Sequence, residues 1–467
     1  MTALPLRCRP AADDGLLFVN DSGSFFRGDP EFASRLLSGR LEQADEAFLA
    51  DRGHLVDEAD ALSFDAHTFN VAERIGRAGT LDYLILVPTL RCNLACTYCQ
   101  VSRVAEQARG FDWSDAHLAA VLELIDTLSA DQVKIEFQGG EPTLRPDLIR
   151  AVIERCERFS ARQFVICTNL QELSPEILQL FDRSDLFIST SLDGDPGTHE
   201  RNRTKGRGSK FFANLDLLLS RYGAEKISAL PTVDPSSPPE IDALIDAFRS
   251  RGLTKIFLRP INFQGFARKR HSHSREQDGA WRSYYERFVR RLVELNWANQ
   301  DTVLEESYLS ICLGRVFRPG RDRHVDLRNP NPAGVDYLVV DYDGSLYPTD
   351  EARMLTRSGV IDLKLGTVGS DWKGETWRML NSHSTNQFDP ACSRCAYQPY
   401  CGRDLVDDLS RYGRVDMART STEFCRKHQW LFDLIFELVY DKDAAVQHSL
   451  RRWLRLDCEA ALGEAAP

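Results

Sequence analysis

Three cysteines in the run Cys92-Asn-Leu-Ala-Cys96-Thr-Tyr-Cys99 are spaced so that their thiolates converge from one loop onto a single metal centre. Four thiolates saturate an ordinary four-iron cluster, whereas three leave one iron open to bind a small molecule directly. A centre of that kind reduces its bound ligand rather than merely passing electrons. A structural zinc site is the alternative, and it needs a distant fourth ligand. A second group, Cys392-Ser-Arg-Cys395-Ala-Tyr-Gln-Pro-Tyr-Cys401, again gathers three thiolates, with Cys425 downstream.

The elements that must position the first set alternate strand and helix. The cysteines follow a continuous apolar run, Tyr83 to Val87, which reads as a strand covered on both faces. Further strands are expected at Val133 to Phe137, Phe164 to Cys167, Leu186 to Ser189, Ile227 to Leu230 and Lys255 to Leu258, with helices at His117 to Leu128, Pro146 to Phe159, Ser174 to Leu180 and Ile241 to Ser250. Such alternation predicts an α/β domain with a parallel sheet, either a barrel or an open doubly wound sheet, and chemistry then collects at the C-terminal strand ends. At those ends stand Gly139-Gly140-Glu141-Pro142, Thr168-Asn169 and Ser189-Thr190-Ser191-Leu192-Asp193-Gly194. Paired glycines allow a backbone to approach a ligand closely. Arg259, at the sixth strand end, is polar where an apolar core would be expected. Cys156 and Cys167 read as small core hydrophobes, and Cys8 and Cys458 as isolated.

Outside this domain, residues 1–75 read as a small unit. Leu17 to Val19 and Phe25-Phe26 flank the turn Asn20-Asp21-Ser22-Gly23, and short helices follow near Pro30 to Leu37 and Asp45 to Arg52. The unit would either offer an edge strand to a peptide or serve as a packing cap. A long amphipathic helix is expected from Gln277 to Asn296, and an irregular stretch from Cys312 to Tyr337. A hairpin is expected with Asp343-Gly344 at its turn, between Tyr337 to Val340 and Leu346-Tyr347. A helix is expected at Arg426 to Tyr440.

The chain of 467 residues has 58 basic and 69 acidic side chains and a formal net charge of -11. This balance gives no global attraction for nucleic acid or anionic membrane; the basic run Arg268 to His273 reads as a solvated loop. No stretch resembles a signal peptide or a membrane span, so a cytoplasmic location is expected, where twelve cysteines do not make a disulfide framework.

The first cysteine set resembles the CxxxCxxC signature of the radical S-adenosylmethionine enzymes, and the resemblance runs from about Leu81 to Pro260. It implies a partial (β/α)6 barrel and a four-iron cluster on Cys92, Cys96 and Cys99. That cluster reduces S-adenosylmethionine to methionine and a 5'-deoxyadenosyl radical, which takes a hydrogen from substrate. It implies Tyr98 near the adenine, and Gly139, Gly140 and Glu141 around the amino group of S-adenosylmethionine. Asn169, Ser191 and Asp193 would line the ribose side and substrate cavity, Arg203 would pair with the cofactor carboxylate, and Arg259 would face the open end.

The second cysteine group resembles the SPASM extension of peptide-maturing members. The resemblance implies one auxiliary four-iron cluster on Cys392, Cys395, Cys401 and Cys425, a zinc site on the same four being the alternative. A second auxiliary cluster would require cysteines where this chain has Thr349 and Leu405, so one auxiliary cluster is expected, with Cys312 a remnant or a free thiol. Asp350 matches an aspartate that serves as a base in related sulfatase-maturing enzymes; an ordinary turn residue is the other reading. The N-terminal hairpin, Phe263 to Arg268 and Tyr347 to Met354 resemble the His-Xaa-Ser-system maturases. That likeness implies a ribosomally synthesised precursor peptide as partner, an external electron donor such as flavodoxin or ferredoxin, and an intramolecular crosslink as product, for instance a cyclophane-type carbon-carbon bond. Thioether formation, side-chain oxidation and a non-catalytic iron-sulfur or zinc module are the alternatives. The expected domains are 1–75, a barrel at 76–275, a helical bridge at 276–311, the SPASM-like domain at 312–430 and a helical tail at 431–467.

Overall fold

The computed structural model describes residues 2–11, 14–56, 61–75, 79–204, 206–265, 267–276, 279–318, 324, 327–456, 462–463 and 465–466. Of the residues named above, Gln277 and Cys458 lie outside the described residues, as do residues 1, 76–78 and 266 within the ranges given.

Five strands run parallel in the order Ile227–Leu230, Leu186–Ser191, Ala161–Cys167, Gln132–Phe137 and Tyr83–Leu86. Their side chains alternate. Val133, Ile135 and Phe137 are buried, while Lys134 and Glu136 between them face the other side, as the two-residue period of a strand requires. The buried face packs on helices Asp115–Thr127, Pro146–Arg155, Pro175–Phe181, Gly208–Tyr222 and Ile241–Arg249 through residues such as Phe164, Ile188, Val152, Phe181, Leu215 and Phe248. Ser114 and Ser174 cap two of these helices, accepting from the amides of His117 and Ile177, and Pro175 opens the second at a position where no amide hydrogen bond is lost. The first strand is covered on both faces as expected: Ile85 and Val87 join Leu90, Tyr337 and Val339 in a separate apolar cluster.

The sixth strand departs from expectation. The run Lys255 to Leu258 is split: Lys255–Ile256 pairs with Glu305–Glu306, and Arg259–Pro260 pairs with Thr232–Val233. Pro260 has no amide to give a ladder, which favours short pairing here. The expected hairpin forms, Val339 opposite Tyr347, but it does not stand apart from the barrel: Tyr337–Val340 lies parallel to Tyr83–Leu86 and extends the barrel sheet. The stretch from Cys312 is not irregular at its start. Helix Ser307–Phe317 runs through it, burying Tyr308, Leu309, Cys312, Leu313 and Val316 at helical spacing. Glu306 caps this helix by accepting from the Leu309 amide at 2.6 Å, so Cys312 belongs to the main core.

The N-terminal hairpin pairs Leu16–Asn20 with Phe25–Gly28, and a further strand, Leu6–Pro10, adds to it. Its free edge at Arg27 is met by the amide of Ala466 at 2.6 Å. The unit rests against the cysteine knot. Arg9 reaches Asp433 at 2.5 Å, and Tyr400 donates to the Gly23 carbonyl at 2.8 Å. Among the described residues no helix is long and apolar enough to cross a membrane.

Candidate active site

The C-terminal strand ends open into a cavity of about 870 Å3 lined by Cys92, Cys96, Cys99, Tyr98, Gly139, Gly140, Glu141, Asn169, Ser191, Arg203, Arg259 and Asp350, among others. The cysteine loop is held by backbone pairing. Gly140 donates to the Thr89 carbonyl at 3.0 Å and Glu141 to that of Arg91 at 2.8 Å. Gly139 sits at φ +135°, and a Cβ on Gly139 or Gly140 would fall 2.3 Å from Thr89 O or 2.2 Å from Arg91 O. The close approach that selects these glycines is therefore to the cysteine loop itself, which has no room for side chains there. Arg91 in turn donates to Asp112 at 2.8 Å, fixing the loop from its outer side.

Glu141 is 2% exposed. Its Oε1 accepts from the Thr143 amide and hydroxyl, and Oε2 accepts from the Asn169 amide at 2.8 Å, so one carboxylate ties the second strand end to the third. Burial raises its pKa, against these hydrogen bonds that lower it. The Asn169 side chain donates to Asn93 Oδ1 at 2.8 Å and lies 3.8 Å from Cys92 Sγ. Tyr98 donates to Asp193 and accepts from Arg203 at 3.0 Å. Asp193 does not line the cavity; it stands behind Tyr98 and accepts from the Thr232 amide at 3.2 Å. Arg203 is thus engaged with a tyrosine hydroxyl. His199, downstream of the same strand, stacks on Phe211 at 4.1 Å and is held neutral by burial, its pKa lowered to about 3.

Deeper in the cavity the strands present groups that sequence reasoning missed. Glu136 accepts from Tyr83 at 2.6 Å, from Gln138 at 2.6 Å and from the Cys167 thiol at 3.3 Å. Lys134 lies 4.2 Å from the centre of the Tyr83 ring, and that ring stacks on Tyr337 at 5.6 Å. The signal was present: Lys134, Glu136 and Gln138 recur every second residue in an otherwise apolar strand, which marks an inner face that is not a dry core. Cys167 lines this cavity, contrary to its reading as core filler.

Asp350 is the first residue of helix Asp350–Arg357 and is 8% exposed. Its Oδ1 accepts from Arg353 Nε at 2.8 Å, and Arg353 is fully buried. Burial outweighs the neighbouring guanidinium, so the Asp350 carboxyl sits above the ordinary aspartate range, with Asp341 and Glu136 adding to the effect. Thr349, where a second auxiliary cluster would need a thiolate, caps this helix by accepting from the Ala352 amide at 3.0 Å. Leu405 is buried at the start of another helix, Leu405–Tyr412.

Cys392, Cys395, Cys401 and Cys425 come together around a small cavity of about 40 Å3, with Arg419 in its wall. Among the described residues, the group of three histidine, cysteine or acidic side chains with ligand atoms all within 4.8 Å of one another is Asp234, His271 and His273; neither cysteine set is gathered that tightly. A zinc ion at about 2.3 Å from each sulfur would draw thiolates to within about 4 Å. Both cysteine sets offer the thiolate donors that an iron-sulfur cluster or a zinc ion takes. Burial, then Glu141, pushes the Cys92 thiol up to about 12, and burial, then Asp389, pushes Cys392 up to about 12. Thiols so placed ionise when a cationic centre offsets the lost hydration, as metal binding does.

Residues 86–257 match the model of the Radical SAM superfamily. The chain carries a radical SAM domain, and its α/β fold is that of radical SAM proteins. The cysteine-type anaerobic sulfatase-maturating enzyme of Clostridium novyi (strain NT) is 26% identical over 353 residues, 69% of this chain and 87% of its own length. A GTP 3',8-cyclase of Sinorhizobium medicae (strain WSM419) is 29% identical over 204 residues, 42% of this chain and 56% of its own. Among solved structures, native anSMEcpe with bound AdoMet superposes with a TM-score of 0.60 at 17% identity, over 76% of this chain and 97% of that one. The same protein with bound AdoMet and Cp18Cys peptide gives 0.58 at 18% identity, over 76% and 97%.

Proposed function

We propose that this chain is a radical S-adenosylmethionine maturase that installs an intramolecular crosslink, such as a cyclophane-type carbon-carbon bond, in a ribosomally synthesised precursor peptide. The observation that carries the reading is that one cavity joins the open cysteine set, Glu141 and the buried Asp350. Its volume of about 870 Å3 accepts several side chains of a peptide segment beside a cofactor. When bound, S-adenosylmethionine and two four-iron clusters supply a hydrogen-abstracting radical and electron transfer, with Cys92, Cys96 and Cys99 holding one cluster and Cys392, Cys395, Cys401 and Cys425 the other.

The chain's own residues then bind, orient and move a proton. Glu141 fixes the strand ends around the cofactor, and the Tyr98, Asp193 and Arg203 group presents an aromatic face and a cation at the cavity wall. Crosslinking removes two hydrogens from the peptide, one as an atom to the 5'-deoxyadenosyl radical and one as a proton and an electron; Asp350 would accept the proton, because burial has made its carboxylate more basic, and the electron would pass to the auxiliary cluster held by the knot cysteines. An external donor such as flavodoxin or ferredoxin provides the reducing electron. The likeness to the His-Xaa-Ser-system maturases supports a peptide of that type. Side-chain oxidation is the second reading, favoured by the 87% coverage of a sulfatase-maturating relative.

The test is anaerobic incubation of reconstituted enzyme with S-adenosylmethionine, reductant and a His-Xaa-Ser-type precursor peptide, followed by accurate product mass and fragmentation. A product two hydrogens lighter, with no fragments inside a short ring, supports crosslinking. A lighter product that fragments at every residue favours oxidation. Absence of 5'-deoxyadenosine under reducing conditions overturns the catalytic reading.

A further inference from the structure

Outside the barrel cavity, two imidazoles and one carboxylate meet on the loops that follow the fifth and sixth strands. Asp234 comes directly after Thr232–Val233, and His271 and His273 belong to the segment leading away from Arg259–Pro260, the strand paired with it. His271 Nδ1 lies 3.3 Å from Asp234 Oδ2, and His273 Nε2 lies 3.0 Å from Asp234 Oδ1. The ligand atoms of all three fall within 4.8 Å of one another. The two rings are 5.6 Å apart and inclined at 80°, so they approach the carboxylate from different directions. Asp234 Oδ1 is also held by the Ser236 amide at 3.0 Å and hydroxyl at 2.7 Å, which fixes the carboxylate before any ligand arrives.

A tetrahedral ion with ligand bonds of about 2.0–2.1 Å sets its ligand atoms about 3.3 Å apart. The His271 and His273 nitrogens stand 3.3 Å and 3.0 Å from Asp234, each from a different carboxylate oxygen, so the groups are near that spacing and a small turn of the carboxylate would bring one oxygen to both. Imidazole nitrogen with carboxylate oxygen suits zinc and its neighbours in the first transition row, whereas magnesium and calcium select oxygen-only shells. Two nearby arginines are engaged elsewhere: Arg268 lies over Phe263, and Arg275 donates to the Arg411 carbonyl at 2.9 Å.

We propose that Asp234, His271 and His273 form a divalent transition-metal site, with zinc as the favoured ion and water completing the shell. The ion would clamp two rim loops that are also joined by the short Thr232–Val233 ladder and the Ile261 amide bond to the Val233 carbonyl at 2.9 Å. The clamp sits two residues from Thr232, whose amide holds Asp193 behind Tyr98. It also steadies Ser274, to which Arg411 of the knot helix donates.

The test uses enzyme with both clusters reconstituted, so that the cysteines are occupied, and freed of loose metal on a chelating resin under anaerobic conditions. Zinc chloride is titrated calorimetrically into wild type, His271→Ala/His273→Ala and Asp234→Asn, and bound zinc and iron are measured by elemental analysis. The proposal expects one zinc per chain in wild type, at least tenfold weaker binding in both variants, iron content unchanged in all three, and a zinc-dependent rise in melting temperature only in wild type. Equal zinc binding by wild type and variants, or none by wild type, overturns it. A variant that loses iron is replaced by the single change His273→Ala, at the most exposed of the three ligands.

Discussion

Gly140 turns its α-carbon toward the carbonyl oxygen of Arg91 so closely that a Cβ would stand 2.2 Å from it. Backbone cannot yield there as a flexible side chain could. Gly140→Ala is therefore expected to displace the loop that leads into Cys92, at a cost of about 1–3 kcal/mol. Iron and sulfide analysis of the reconstituted variant should show loss of the cluster at Cys92, Cys96 and Cys99 and retention of iron at the knot. Full iron content would show that the loop tolerates the shift.

Asp350→Asn keeps an acceptor for Arg353 and removes the base. If Asp350 accepts the substrate proton, cleavage of S-adenosylmethionine should persist while product formation falls roughly 100-fold to 10,000-fold. The ratio of 5'-deoxyadenosine to product, measured by chromatography, rises accordingly. Equal loss of both would assign Asp350 a structural role.

Arg353→Leu probes the same pair from the other side. It leaves the Asp350 and Asp341 carboxylates buried without the guanidinium between them, and breaking such a buried pair costs about 3–5 kcal/mol. A drop in the denaturant midpoint with unchanged slope is the expected result, and the double change with Asp350→Asn should recover part of the loss.

Tyr98→Phe removes one hydroxyl that serves two buried partners. Asp193 loses a donor and Arg203 an acceptor, a cost of about 1–3 kcal/mol. Because Arg203 lines the cavity, binding of S-adenosylmethionine should also weaken, which equilibrium dialysis reads directly.

Two buried histidines and one buried glutamate make stability depend on pH in opposite directions. Burial lowers His54 to about 4 and His199 to about 3, so their contribution is complete above the unfolded value of 6.5 and is lost as pH falls through those lowered values. Glu306 is raised by burial from 4.5 to about 7, so its contribution is complete below 4.5 and is lost as pH rises through about 7. Between pH 4.5 and 6.5 the two histidines raise stability with pH and Glu306 opposes them, so Glu306→Gln should steepen the rise in urea titrations; an unchanged profile would show that Glu306 adds no slope.

Much of this protein was decided locally and could be read from the chain alone. The CxxxCxxC spacing, the alternation of strand and helix, and the hairpin turn at Asp343-Gly344 depend on neighbours within a few residues, where periodicity and turn chemistry act. Tertiary structure alone decided the rest, because it rests on pairings between distant segments. Glu136 and Asp350 face one cavity only because the Tyr337–Val340 strand docks parallel to Tyr83–Leu86 and carries the following helix to the barrel mouth. Cys167 became a cavity residue, and Cys312 a core residue, for the same reason: a strand or helix residue takes its role from what packs against its face. Asp234 and His271 stand 37 positions apart in the sequence. The Thr232–Val233 ladder to Arg259–Pro260, a pairing between distant segments, brings their loops into contact.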